Sequence, residues 1–220
     1  MSYDNDWNKE FDPHSGRLVP KRASSCTVDS LVGLSGFRCI VADPPWRPLL
    51  HANNPRRPTV DLAGPQKHYP TMLLGDLLSM DVPSAKQCHL YLWTLTQHVD
   101  WGYAVARAWG FKEIVTMLTW AKPGVGVGRF MCNTEHILVC RKGPRAGNPF
   151  GLGGRYVPAT HGTWFDWPRG RHSEKPEAFQ TMVENMSPGP RLELFARRAR
   201  PGWTVWDNEV EAAQAGEVEA

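Results

Sequence analysis

The chain has 220 residues, 41% apolar and 21% charged, which is enough for one sizeable core and ordinary for a globular domain. Its net charge of +3 tolerates a polyanionic partner without demanding one; no apolar run approaches the roughly 20 residues that cross a bilayer, and the acidic start MSYDNDWNKEFDP is no signal peptide. The cysteines Cys26, Cys39, Cys88, Cys132 and Cys140 are odd in number with no C-x-x-C pair, so neither a disulfide framework nor a zinc site is indicated, and a reducing cytoplasm fits.

Residues 1–22 show no periodicity and read as a flexible arm. One domain is expected over 23–210, followed by a flexible tail, 211–220. Phe37–Ala42 reads as a buried strand. Residues 47–70 are rich in Pro, Asn and basic side chains, and a loop this long in a compact domain is usually functional or disordered. Thr71–Met80 reads as a short helix and CHLYLWT (88–94) as a second strand. HVDWGYAVARAWG (98–110) has apolar residues at helical spacing and ends in Gly110, a suitable cap. EIVTMLTW (113–120) and EHILVCRK (135–142) are strands flanking the glycine-rich stretch 122–133. Residues 143–172 read as irregular, EKPEAFQTMVENM (174–186) as an amphipathic helix, and RLELFA (191–196) and WTVWD (203–207) as the last strands. Strands alternating with helices predict an α/β fold with a mainly parallel sheet and helices on both faces. Ligands of such sheets bind beyond the carboxyl ends of the strands. Asp43, Trp93, Lys122, Arg197 and Asn208 all lie at such ends.

The stretch CIVADPPWRP (39–48) carries the most chemistry. Pro44 and Pro45 cannot donate to a ladder, so the strand must stop at Asp43. A carboxylate and a rigid proline carbonyl are two acceptors for the hydrogens of a flat amine, such as the exocyclic nitrogen of adenine. They would stabilise charge developing on that nitrogen. An aromatic beside them, Trp46, can stack on the base. Of the ten tryptophans, most are read as structural and some as stacking surfaces.

ADPPW resembles the catalytic tetrapeptide of the N6-adenine methyltransferases typified by the catalytic subunit of the mRNA N6-adenosine methyltransferase. HYPTM (68–72), LYLWT (90–94), WGF (109–111), WAKPG (120–124), EHILVCRKG (135–143), RHSEKPEAF (171–179), SPGPRLELFARR (187–198) and GWTVWDNE (202–209) are similar to that family in the same order. The chain looks closest to its small bacterial and phage members. The resemblance implies a Rossmann-like, S-adenosylmethionine-dependent methyltransferase with circularly permuted motifs, the DPPW segment preceding the cofactor segment.

It further implies Asp43, Pro44, Pro45 and Trp46 as the catalytic tetrapeptide. Lys175 would hold the methionine carboxylate, a charge-assisted contact, and Asp43 would also face the cofactor. Ser173 is expected to cap the helix carrying Lys175 and to reach the methionine end. Arg197 would lie against the cofactor with Phe195 near it, and Asn208 and Glu209 would bond the ribose hydroxyls. Glu193 is expected to be a structural partner for a cation. Two departures touch the ribose contacts. Asp207 stands where a glycine is common, and the turn RARPGW lacks the His-Asn pair of the mRNA enzyme.

On the substrate side, the resemblance places Tyr69 beside the target base and implies that the loops at 47–70 and 121–134 close over it. Trp93, Lys122, Arg56 and Arg57 join the expected substrate-binding set, and Lys67, Arg129, Arg169 and Arg171 are further candidates for phosphate contacts. Glu135 and His136 are read either as orienting the second loop or as a structural pair. A base inside a duplex cannot reach such a site, so the target must be flipped or single-stranded. DNA is preferred to RNA, in a bacterial cell or a phage-infected host. The alternatives are an RNA N6-adenosine methyltransferase, an N4-cytosine methyltransferase using a related motif, and a non-catalytic nucleic-acid-binding pseudo-enzyme.

Overall fold

The computed structural model describes residues 9–12, 17–20, 31, 34–47, 71–124, 132–143, 162–170 and 174–206. Strand β3 (Phe37–Ala42) is buried at every position but Arg38, as an apolar run (Cys39–Ala42) flanked by other strands should be. It pairs in parallel with β4 (Ser84–Leu95) on one side and β8 (Arg191–Leu194) on the other. The remaining strands are β5 (Glu113–Ala121), β6 (Thr134–Lys142), β7 (Trp164–Phe165) and β9 (Trp203–Trp206). The seven-stranded sheet has the order β7-β5-β6-β4-β3-β8-β9.

All its pairings are parallel except those of β6, which runs antiparallel to both β4 and β5. The segment joining β5 to β6 is the glycine-rich stretch, which carries no helical pattern, and antiparallel neighbours need no crossover helix. The irregular region expected at 143–172 contains β7, which adds an edge to β5. The segment expected to be a structureless arm contains a separate two-stranded antiparallel ladder, β1 (Lys9–Asp12) with β2 (Arg17–Pro20).

Helices lie on both faces of the sheet. Helix α1 (Leu74–Ser79) and α2 (Val99–Ala108) bury Leu77, Val105 and Ala106 against Ile40, Leu90, Leu92, Leu138 and Leu192. Helix α3 (Glu177–Met186) buries Phe179 and Val183 against Val41, Tyr91, Trp93 and Val139. The two clusters use alternate residues of the same strands, as the pleat dictates. Trp109 Nε1 donates to the carbonyl of Leu77 at 2.8 Å and ties α2 to α1. Beyond α2, Gly110 takes φ +88, a left-handed conformation that costs glycine little.

Helix α3 starts later than its amphipathic pattern suggests. Its N-cap is Pro176, with no side-chain capping bond; Ser173, the expected cap, lies outside the described residues. The residue before a proline is disfavoured in the α region, which keeps Lys175 off the helix and in the segment leading to it.

Candidate active site

Strand pairing brings together residues far apart in the chain. Ala42 is level with Leu194 on β8, and the Asp43 backbone N–H donates to the Leu194 carbonyl at 3.4 Å. The DPPW segment and the end of β8 therefore leave the sheet side by side. A cavity of about 520 Å³ opens there, within the range of small-molecule sites. It is lined by Val41 and Asp43 from β3 and its end, Trp93 from β4, Gln180 from α3, Glu193 from β8, Phe195, Arg197, Arg198 and Arg200 from the segment after β8, and Glu174 and Lys175 from the segment before α3.

Lys175 is the centre of the charge arrangement. Its ammonium lies 2.9 Å from Asp43 Oδ2 and 3.0 Å from Glu135 Oε2, and sits over the Trp93 ring, 4.9 Å from its centroid. Glu135 also receives Lys122 Nζ at 2.8 Å. The order Asp43–Lys175–Glu135–Lys122 alternates in sign, which lets four charges sit together in a partly buried place. Burial alone would raise the Glu135 carboxyl. The ammonium groups of Lys175 and Lys122 outweigh it and hold Glu135 at about 2. Burial likewise opposes charge on Lys175, but Asp43 and Glu135 push it up to about 12. Lys175 is thus a permanent cation aimed at Asp43. Glu135 reaches the site because β6 is antiparallel, which puts its amino end beside the carboxyl ends of its neighbours.

The DPPW backbone is held from both sides. Pro44 is buried, and its carbonyl accepts from the Trp46 N–H at 2.8 Å; the Pro45 carbonyl accepts from the Met72 N–H at 3.0 Å. Each of the two carbonyl oxygens accepts one of these bonds and keeps a second lone pair.

Trp46 does not serve as the stacking face expected from the sequence. It is 6% exposed, its Nε1 donates to the Trp93 carbonyl at 3.1 Å, and its ring stacks on His98 at 5.9 Å with 14° between planes. His98 Nε2–H in turn donates to the Arg47 carbonyl at 2.8 Å, and burial lowers the pKa of the imidazole. Trp46 is a structural rivet that fixes both ends of the tetrapeptide.

Other expectations also change. Trp93 is 1% exposed and packs edge-on to Phe179 at 4.8 Å, so it is a cavity wall rather than a face open to a substrate. Lys122 is drawn inward by Glu135 instead of presented to phosphates. Glu193 Oε1 accepts from the Gln180 amide at 3.1 Å; burial raises its carboxyl to about 7, and the charges of Arg200 and Arg198 act in the opposite direction, only partly offsetting this. His136 bonds Thr119 and Thr96, both at 3.1 Å, a structural arrangement distinct from that of Glu135. Phe195 and Arg197 do line the cavity, and Phe195 takes φ +62. Tyr69, Arg56, Arg57, Lys67, Arg129, Arg171, Ser173, Asn208 and Glu209 lie outside the described residues.

The structure adds residues that the motifs did not single out. Gln180 is 4% exposed, and its Oε1 has no hydrogen-bond partner among the described residues. The signal available in sequence was a polar residue on the apolar stripe of α3, next to Phe179 and three before Val183. At the mouth, Arg198 pairs with Glu174 at 3.0 Å and Glu177 at 2.6 Å, and Arg200 pairs with Glu177. These ion pairs lace the segment before α3 to the β8–β9 turn.

Comparison with known proteins agrees with this geometry. Residues 37–209 match the MT-A70 family. The chain is 30% identical to the type II methyltransferase M.MunI of a Mycoplasma species, over 83% of this chain and 84% of that protein. It is 26% identical to the human N(6)-adenosine-methyltransferase catalytic subunit METTL3 over 91% of this chain, but spans only 33% of that protein. It is also 26% identical to the human N(6)-adenine-specific methyltransferase METTL4, over 88% of this chain and 43% of that protein. A match of this extent, falling on the strands and segments that build the cavity, places the chain in the MT-A70 family of methyltransferases.

Proposed function

We propose that the chain transfers a methyl group from S-adenosylmethionine to the N6 amine of adenine in nucleic acid, DNA in preference to RNA. The observation that carries this reading is the Asp43–Lys175 pair at 2.9 Å on the rim of a cavity formed where the DPPW segment and β8 leave the sheet. S-adenosylmethionine, when bound, supplies an electrophilic methyl group on a sulfonium. The cavity's donor set suits it. Lys175 is a cation for the methionine carboxylate. Glu193 and the unpartnered Gln180 Oε1 are acceptors for the ammonium, and Arg197 and Phe195 flank the remainder. Ser173, Asn208 and Glu209 complete the proposed cofactor set.

Lys175 holds Oδ2 of Asp43, which leaves Oδ1 to accept a hydrogen bond from the target amine. The free lone pair of the Pro44 carbonyl is the second acceptor. Together they favour the pyramidal amine and stabilise the positive charge that grows on its nitrogen. Trp46 acts by fixing these acceptors. Tyr69 is assigned to the target base, and Arg56 and Arg57 to phosphates.

The DNA preference is supported by the higher identity to the type II methyltransferase, 30%, than to the adenosine-methyltransferase subunit, 26%. An intact, ion-paired Asp43 disfavours a pseudo-enzyme. A cytoplasmic location is part of the proposal. Among the described residues, no helix is long and apolar enough to cross a membrane.

The test is mass spectrometry of nucleosides after the purified protein is incubated with labelled S-adenosylmethionine and separate DNA and RNA pools. The expected product is N6-methyladenine, enriched in the DNA pool. Label on cytosine, or in neither pool, would overturn the reading.

A further inference from the structure

Trp164 is 61% exposed, the most exposed of the large apolar side chains among the described residues. It lies on β7, whose other residue, Phe165, is buried in the core, because successive strand residues face opposite sides. The backbone under Trp164 is well anchored. Phe165 stacks on Trp167 at 4.1 Å with 11° between planes, Trp120 Nε1 donates to the Trp167 carbonyl at 2.8 Å, and the Thr119 N–H donates to the Thr163 carbonyl at 2.7 Å. The indole is therefore carried on a fixed backbone rather than on a loose loop.

Its surroundings combine polar groups with the partly exposed Met117, two residues before Thr119 on the same face of β5. Trp164 is level with Thr119 on β5, and Thr119 is level with His136 on β6; their side chains, with Thr96, form a hydrogen-bonded shelf. Arg169 is exposed on the segment that follows β7, which runs towards the cavity mouth until Gly170 lies against the Glu174 carboxylate. An aromatic plate with threonine hydroxyls on its face of the sheet, and an exposed cation five residues on in the chain, is poorly matched to a purely apolar protein partner. It is well matched to a nucleobase, which brings a π-face, polar edges and a phosphate.

β7 is four strand spacings from β3, about 19 Å at ~4.8 Å each. That is too far for contact with a base at Asp43. At about 3.4 Å per base step along one strand, it is about five to six steps away.

We infer that Trp164 stacks on an unpaired or splayed base of the substrate strand, several nucleotides from the target adenine, with Arg169 taking an adjacent phosphate. This rests on the proposed nucleic-acid substrate, so the test reads binding without turnover. Fluorescence anisotropy with single-stranded DNA and RNA oligonucleotides should show Trp164→Ala weakening binding at least about fivefold, the loss expected for one base stack. Trp164→Phe should stay within about twofold of wild type, and S-adenosylmethionine affinity should be unchanged in both variants. An abasic residue walked along the oligonucleotide should cost the wild type a similar factor at one position away from the adenine, and cost Trp164→Ala nothing there. The DNA and RNA arms show which strand the platform accepts. Trp164→Ala binding both strands within twofold of wild type would overturn the inference. So would an equal loss of S-adenosylmethionine affinity, or a changed oligomeric state on sizing chromatography. Absence of methyl transfer by a wild-type protein that binds oligonucleotides through Trp164 would defeat the proposed reaction and leave the platform standing.

Discussion

Asp43 and Glu193 are both carboxylates on the cavity wall, and their settings give them different work. Lys175 pairs with Asp43, which faces the amine in the proposed reaction. Removing an acceptor that stabilises developing charge costs on the order of 10²–10³ in rate. Asp43→Ala should therefore lower kcat by that factor while keeping its circular dichroism and melting transition; at least a third of normal turnover would refute the assignment. Glu193 is held near 7 by burial, above its ordinary 4.5. A carboxyl with a raised folded pKa binds its proton more tightly in the folded than in the unfolded chain. Below about 4.5 both states hold the proton and the site is neutral to stability. As pH rises from there through about 7, the unfolded state ionises first and the folded state loses ground. Glu193→Gln should therefore raise Tm at pH 8, with the gain vanishing below pH 4.5; a gain independent of pH would show that its ionisation is not the cause. Asp43 was legible in sequence because prolines after an acidic strand end are rare. The half-buried setting of Glu193 was not, since an alternating strand does not say which face meets a cavity.

Among the elements, α3 joins the cavity lining to the core. Phe179 is 0% exposed, edge-on to Trp93 and to Tyr91, and the neighbouring Gln180 and the preceding Lys175 both line the cavity. Phe179→Ala should cost about 3–5 kcal/mol, the usual range for a buried phenylalanine. Urea denaturation would measure it, and a loss under 1 kcal/mol would mean that α3 repacks without this anchor. The apolar stripe of α3 was readable from its periodicity, but its first turn was overextended because the effect of Pro176 on Lys175 outweighs the pattern. Helix α2 packs so closely that a Cβ on Gly102 would stand 3.1 Å from Leu138 Cδ1, a fit no propensity scale reports. Strand β6 was readable as a strand but not as antiparallel, because direction is a property of the pairing and not of the residues in it.

For the whole molecule, the permuted order places the catalytic strand β3 between β4 and the late strand β8, so the cavity is complete only when the described fold is closed. A ligand that binds only this closed state stabilises it by mass action, about 2.7 kcal/mol at a hundredfold excess over Kd. S-adenosylmethionine should accordingly raise the Tm of the wild type. Lys175→Ala loses a charge-assisted bond worth roughly 1.5–3 kcal/mol, so calorimetry should show at least about tenfold weaker binding and the thermal shift should shrink with it. An undiminished shift would mean that the cofactor lies elsewhere. The sequence by itself determined the fold class, the strand and helix periods, the acid at the end of β3 and the ordered motifs that mark the family, because these follow from local pattern and spacing. Only the tertiary structure decided that Trp46 is spent on His98, that Lys122 turns inward to Glu135, that Glu193 meets Gln180, and that Trp164 is left bare. Each of these depends on which groups strand order and direction bring within reach, and pairing across the sheet leaves no local mark in the chain.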